Sequence, residues 1–194
     1  MTHSFFAMMA RMKYIERWAL MRNSEKENIS QHSMEVAMLA HGLAVIGNEK
    51  CNRDYDLEKV ALMGLYHDAS EIITGDMPTP VKYHDEDIQT AYKRVENIAC
   101  KSLVNMLPDY MKKYYEPILL PEEGTDEELW RVVKAADKLS ALIKCIEEEK
   151  AGNSEFATAH QTIFLALTKM QLSEVDIFIQ EFLPAYSKTL DELS

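Results

Sequence analysis

An all-α fold is the class that this sequence predicts, on three observations. Apolar residues recur at spacings of three and four along most of the chain, which is the period of a helix with one buried face. No segment shows the strict apolar/polar alternation of a half-buried strand. A content of 47% hydrophobic residues, with 6 Gly and 6 Pro in 194 positions, marks a globular chain long enough to bury a core.

Taken in order, a first helix is expected from Ser4 to Arg17, with Phe5, Met9, Met12 and Ile15 or Glu16 at helical spacing. Asn28 and Gln31 have the spacing of a capping box. They open a helix in which His32, Val36, Leu39, Leu43 and Ile46 share a stripe, ending near Gly47-Asn48. Asp56 is placed to cap a helix reaching Thr74, where Gly75 supplies the stop. On it Leu57, Val60, Gly64, His67 and Glu71 share one face, with Asp68 on its shoulder. Asp85 caps the next helix, which runs to Leu107 with Ile88, Tyr92, Val95, Ala99, Leu103 and Met106 inward. Pro108 to Gly124 is the least regular stretch and is expected to be a mobile or interface element. Thr125-Asp126-Glu127-Glu128 reads as a capping box for a helix to Lys150, with Leu129, Val133, Ala136, Ser140 and Ile143 buried and Asp137 at the border. Two more helices, Ser154 to Met170 and Ser173 to Leu183, precede a short tail. No repeat, low-complexity tract or Gly/Ser linker interrupts this order, so residues 1–194 are read as one domain.

The net charge of −11, from 21 basic and 32 acidic residues, argues against polymeric nucleic acid and an anionic membrane surface as partners. A small anionic substrate remains compatible if a few basic residues gather locally. Cys51, Cys100 and Cys145 are odd in number and have no Cys-x-x-Cys spacing, which indicates buried thiols rather than a disulfide frame or zinc cluster. The apolar run Phe5-Phe6-Ala7-Met8-Met9 lacks a basic lead and is followed at once by Arg11, Lys13 and Glu16, unlike a secretory signal. With no membrane-length apolar stretch, a cytoplasmic protein is expected.

His67-Asp68 carries most of the functional information. It closes the apolar run Val60 to Tyr66, where charged groups are costly unless paired or bound to a cation. His84-Asp85 is an internal control, because it lies in the polar run Lys82 to Asp87 and reads as an N-cap. His32 lies upstream and Asp137 downstream, each on the apolar side of its helix. Taken singly, His32 reads as a buried histidine and Asp137 as half of a salt bridge. Together, His32, His67, Asp68 and Asp137 offer one divalent ion a mixed N/O site. Such a set does not choose among Mn, Fe, Co, Ni and Zn. His41 falls on the opposite side of its helix, and His3 and His160 do not join, so a single ion is expected.

These ligands resemble those of the HD-domain metal-dependent phosphohydrolases. The segments Arg17-Trp18, Asn28 to Ser33, Tyr66 to Glu71 and Thr74 to Tyr83 are more specifically similar to the bacterial 5′-deoxynucleotidases of the YfbR type. The resemblance runs over nearly the whole chain and implies a single HD-domain helical bundle. It also implies a homodimer that removes the 5′-phosphate from deoxyribonucleoside monophosphates and discriminates against ribonucleotides. Gln31 stands where the family pattern has Glu, which implies altered tuning.

Phosphomonoester hydrolysis needs charge neutralisation, an activated water and a protonated leaving group. Glu71, one turn after His67, is a candidate to hold or deprotonate the water, or else an ordinary helix-end carboxylate. Asp76 is a candidate substrate contact or proton donor, or else turn chemistry. Arg17 reads as a phosphate clamp or a surface arginine. Trp18 reads as a core tryptophan or a wall against the sugar, and the resemblance selects the wall. The resemblance extends the substrate contacts to Met77, Pro78 and Thr79 of the loop and to His32, Asp68 and Asp137 among the ligands. The alternatives are a phosphohydrolase of the same fold acting on another small phosphate ester or nucleotide, and a non-catalytic helical interaction module.

Overall fold

The computed structural model describes residues 2–82 and 84–193, with the backbone alone at positions 79 and 80. Tyr83 of the loop motif therefore lies outside the described residues. Among the described residues the chain is helical, and its one extended pairing is an isolated antiparallel bridge between Glu16 and Asn28. The helices are α1 (Phe5–Met9), α2 (Ile29–Lys50), α3 (Leu57–Tyr66), α4 (Glu71–Thr74), α5 (Thr79–Lys82), α6 (Glu86–Asn105), α7 (Asp109–Leu119), α8 (Glu127–Lys150), α9 (Ala157–Lys169) and α10 (Ser173–Glu181). Short 3₁₀ turns cover Ala10–Tyr14, Ser154–Phe156, Leu183–Ser187 and Leu190–Glu192. None of these helices is long and apolar enough to cross a membrane.

The chain divides into two compact units. The first comprises Met1–Met21, Lys26–Ser33 and Leu65–Asp126. Its core gathers Phe5, Ala69, Leu103, Val104, Leu107 and Leu119. Tyr115 anchors that core through edge contacts with Phe5 and Tyr66, at ring-centroid distances of 4.9 and 5.8 Å. The second unit comprises Arg22–Glu25, Met34–Gly64 and Glu127–Ser194. Here α8 is the central rod, with Val132, Ala135, Ala136, Leu139 and Leu142 all fully buried. Gly64 on α3 permits a close approach to α2, since a Cβ there would stand 2.9 Å from the Ala37 Cα.

The helix starts follow local chemistry. Asn28 Oδ1 accepts from the Gln31 amide and Gln31 Oε1 from the Asn28 amide, each at 3.1 Å, so the expected capping box is formed. Asp56 accepts from the Lys59 amide at 2.9 Å, and Asp85 from the Ile88 amide at 2.8 Å.

Several expectations about these elements need correction. The first helix ends at Tyr14 rather than Arg17, because residues 15–17 turn extended and pair with Glu27 to Ile29. Helix α2 passes through Gly47-Asn48: Gly47 lies against the Tyr55 ring, and the Asn48 side chain binds the Tyr55 backbone at both its N–H (2.8 Å) and its carbonyl (3.0 Å). Those two residues thus dock the following loop instead of ending the helix. Pro108 to Gly124 contains α7, whose Met111, Tyr115, Ile118 and Leu119 turn inward at helical spacing. Pro108 sits at its N-cap, where a proline is tolerated, whereas Pro117 lies inside the helix and gives up the amide bond it would have made to the Lys113 carbonyl. Finally, Ile88 and Val95 of α6 are exposed rather than inward, and the buried face is Tyr92, Ala99, Leu103 and Val104.

Candidate metal centre

The expected single helix from Asp56 to Thr74 is broken where its functional residues lie. Helix α3 stops at Tyr66, and residues 67–70 form a turn held by bonds from the Ala69 amide to the Tyr66 carbonyl and from the Glu71 amide to the Asp68 carbonyl, both 3.0 Å. Helix α4 follows and ends at Gly75, whose φ of 73° is the left-handed stop expected of glycine. The break brings the His67 and Asp68 side chains together, which a straight helix does not do for adjacent residues.

His67 Nε2 lies 3.1 Å from Asp68 Oδ2, and His32 Nε2 reaches the same oxygen at 3.5 Å from α2. The two imidazoles are tilted, with centroids 5.2 Å apart. His32 is fully buried, and ligand atoms of His32, His67 and Asp68 all lie within 4.8 Å of one another. Donors about 2.1 Å from a shared ion stand roughly 3.0–3.4 Å apart at octahedral or tetrahedral angles, so this donor set fits a divalent metal. Burial favours the protonated Asp68, but the imidazoles of His67 and His32 beside it outweigh burial and hold the carboxyl well below the usual range.

Glu71 is buried beside this group, and its Oε2 has no hydrogen-bond partner among the described residues. Burial, then the charges of Asp68 and Asp76, push its pKa up to about 9. Asp76 is half-buried. Desolvation raises its pKa against the opposing charge of Arg17 and a hydrogen bond from the Trp18 backbone.

Arg17 Nη1 lies 2.9 Å from Glu27 Oε2 and 2.9 Å from His32 Nδ1. The indole N–H of Trp18 donates to the same Glu27 oxygen at 2.8 Å. The Arg17 side chain is only 12% exposed, so it is not a surface arginine, and Trp18 is half-buried rather than a core residue. Met77 and Pro78 are half-buried in the loop before α5, whereas the Thr79 side chain lies outside the described residues. Asp137 belongs to the second unit, half-buried on α8 between the buried Ala136 and Leu139.

The control pair behaves as its context predicts: His84 and Asp85 have side chains 73% and 48% exposed, and Asp85 caps α6. His41 is exposed, while His160 pairs with Glu149 at 3.0 Å, an acidic neighbour not expected from spacing. Two residues near the site escaped the sequence reading. Glu27 lies in a polar stretch that nothing marks. Lys82, inside the loop motif, pairs with Glu96 at 2.9 Å over the Tyr92 ring and lowers the proton affinity of Glu71.

An HD-domain phosphohydrolase from Listeria innocua superposes with a TM-score of 0.81 at 20% identity, over 94% of this chain and 88% of that one. The cyanophage S-2L HD phosphohydrolase DatZ, solved with dA and one catalytic Zn²⁺, gives 0.64 at 17% identity over 94% and 96%. The fold is therefore that of the HD-domain phosphohydrolases. Within it, the chain belongs to the family described as 5′-deoxynucleotidase YfbR-like, whose model matches residues 4–186. Among its relatives are a 5′-deoxynucleotidase of Photorhabdus temperata, 47% identical over 100% of this chain and 98% of the relative. Another, from Vibrio vulnificus, is 43% identical over 98% of this chain and 97% of the relative.

Proposed function

We propose that this protein is a metal-dependent 5′-deoxynucleotidase that hydrolyses deoxyribonucleoside 5′-monophosphates to deoxynucleoside and phosphate. Full-length relatives at 47% identity that carry this activity in their names support it, as does membership of the family. The observation that carries the chemistry is the His32–His67–Asp68 group, with His32 fully buried and the other two half-buried, and Glu71 and Arg17 beside it. We read residues 1–194 as a single HD domain, in keeping with one family model over 4–186.

His32, His67 and Asp68 would hold one divalent ion of the Mn, Fe, Co, Ni or Zn class, and Asp137 is the fourth ligand that the family resemblance implies. When bound, that ion supplies Lewis-acid polarisation of a phosphoryl oxygen and a water that loses its proton more easily. Arg17 neutralises the phosphate, its fork already fixed by Glu27. Glu71 would take the water's proton, because positive charge held at His32, His67 and Asp68 would offset the burial and the Asp68 and Asp76 charges that raise its pKa. Asp76 serves as proton donor to the leaving 5′-oxygen, a role suited to a carboxyl of raised pKa. Trp18 walls the sugar, and Met77, Pro78 and Thr79 complete the substrate pocket with His32, Asp68 and Asp137.

The reading extends to a cytoplasmic homodimer. Three free cysteines suit a reducing compartment. The exposed apolar side chains of Ile88, Val95 and Ile98 on α6, at 36, 47 and 60% exposure, offer a surface for a second copy. The deciding experiment is phosphate release from deoxy- and ribonucleoside monophosphates by chelator-treated protein with each divalent metal restored. Turnover of dAMP that depends on metal and exceeds that of AMP is expected; no metal-dependent release from any deoxynucleotide rejects the reading.

A further inference from the structure

Glu27 ties together two residues of the proposed substrate pocket. One carboxylate oxygen, Oε2, accepts from Arg17 Nη1 at 2.9 Å and from the Trp18 indole N–H at 2.8 Å. The Glu27 side chain is 13% exposed, so both bonds are shielded from water and the shared acceptor is ionic, which makes them stronger than neutral pairs. Its second oxygen lies 3.8 Å from His32 Nδ1.

A second observation bears on the same residue. Trp18 has φ of 59°, a left-handed conformation that a bulky L-residue adopts only when its surroundings impose it. Three contacts impose it: the Arg17 amide donates to the Glu27 carbonyl at 2.9 Å, the Glu16–Asn28 bridge closes the base of the loop, and the Trp18 backbone donates to Asp76. The indole is thus fixed at both ends, by its backbone to Asp76 and by its ring nitrogen to Glu27.

We infer that Glu27 is the positioning residue for sugar selectivity, holding the Trp18 indole rigid against the 2′-carbon while the same oxygen orients Arg17 toward the phosphate. A wall excludes a 2′-hydroxyl only if it cannot swing away. An indole released from Glu27 retains its bulk but admits the hydroxyl, or a water beside it. The inference rests on the proposed deoxynucleotidase reading.

Glu27→Met keeps the chain length and removes the acceptor, whereas Glu27→Gln keeps an acceptor oxygen for the indole. The ratio of kcat/KM for dAMP to that for AMP should fall about tenfold in Glu27→Met, toward the value of Trp18→Phe, and stay near wild type in Glu27→Gln. In the Trp18→Phe background Glu27→Met should no longer move the ratio, because the donor is gone. A purely structural role scales both sugars together and leaves the ratio intact. Exchange of the Trp18 indole proton, followed by NMR and distinguished from that of Trp130, reads the contact without any substrate. Slow exchange in the wild type and faster exchange in Glu27→Met is expected. Fast exchange in the wild type, or an unchanged ratio in folded Glu27→Met, overturns the inference. If the wild type hydrolyses no nucleotide, the functional reading fails, while the indole exchange still decides whether Glu27 holds Trp18.

Discussion

Glu71 and Glu148 are both buried carboxylates on helices, and their surroundings drive them in opposite directions. Glu148 on α8 accepts from Lys144 Nζ at 2.5 Å, from Asn153 Nδ2 at 2.7 Å and from the Ser24 and Glu25 amides at 2.8 and 3.3 Å. Burial opposes its ionisation, but these donors outweigh burial and bring its pKa down to about 2. At Glu71 burial goes unopposed by such donors and the charges of Asp68 and Asp76 add to it, so its pKa rises to about 9. A buried charge whose lone pairs are met by cations and N–H donors is complete, and its task is to hold the Arg22–Glu25 segment on α8. A buried carboxylate crowded by others is incomplete, and a cation is the group that completes it.

Adding or deleting one partner tests this contrast most severely at Asp68. Asp68→Ala should abolish both metal binding and turnover, measured by metal content and phosphate release on protein whose helicity is unchanged. The exposed pair supplies the control, since replacing both His84 and Asp85 with Ala should alter neither. Full activity in metal-free Asp68→Ala would break the comparison at its root.

At the complete cluster the expected loss is of stability. Glu148→Ala leaves the Lys144 ammonium with the Glu25 carbonyl alone and takes the acceptor from two loop amides, and removing one partner of a buried pair costs about 3–5 kcal/mol. Urea unfolding measures it, and metal affinity should not change. The pH dependence has a definite sign. The folded pKa of about 2 lies below the ordinary value of 4.5, so the stabilisation is complete above pH 4.5 and is lost as pH falls toward 2. Glu148→Gln should lack that acid-side loss, and a parallel pH profile in the two proteins would refute the assignment.

How much of this was legible in the sequence follows from how local each cause is. His32, His67 and Asp68 stood out because charge and imidazole interrupt apolar stripes, and the Asn28–Gln31 and Asp85 caps are set within four residues. The break at residues 67–70 was not legible, since His67 and Glu71 continue the helical period across it. Helix α7 was hidden by three prolines whose effect depends on their position in the turn. Ile88 and Val95 have the same spacing as their buried neighbours, and only packing on one side of α6 separates them. Glu27 was invisible because its role requires residues 15–18 to return alongside 27–29, a contact that no period encodes.

Chemistry separates the two carboxylates next. If Glu71 takes the water's proton, Glu71→Ala should lower kcat by roughly 10²-fold while metal content and dAMP affinity persist. Single-turnover assays with excess enzyme isolate the step. Unchanged turnover would remove Glu71 from the mechanism and leave Asp76 as the carboxyl to test.

The smallest expected effect is sugar discrimination. An indole against the 2′-carbon leaves a 2′-hydroxyl without room or partner, and burying a hydroxyl unpaired costs about 1–3 kcal/mol, a preference of roughly ten- to hundredfold for deoxynucleotides. Trp18→Ala should narrow that preference by admitting the hydroxyl or a water, with little change in metal affinity. Arg17→Ala should instead raise KM for both sugars together, because the phosphate is common to them. The two variants thus separate sugar from phosphate recognition although their side chains share one acceptor on Glu27. Equal hydrolysis of AMP and dAMP by the wild type would remove the sugar wall and leave the metal centre standing, because its ligands are set by the turn at residues 67–70 and by α2, not by the indole.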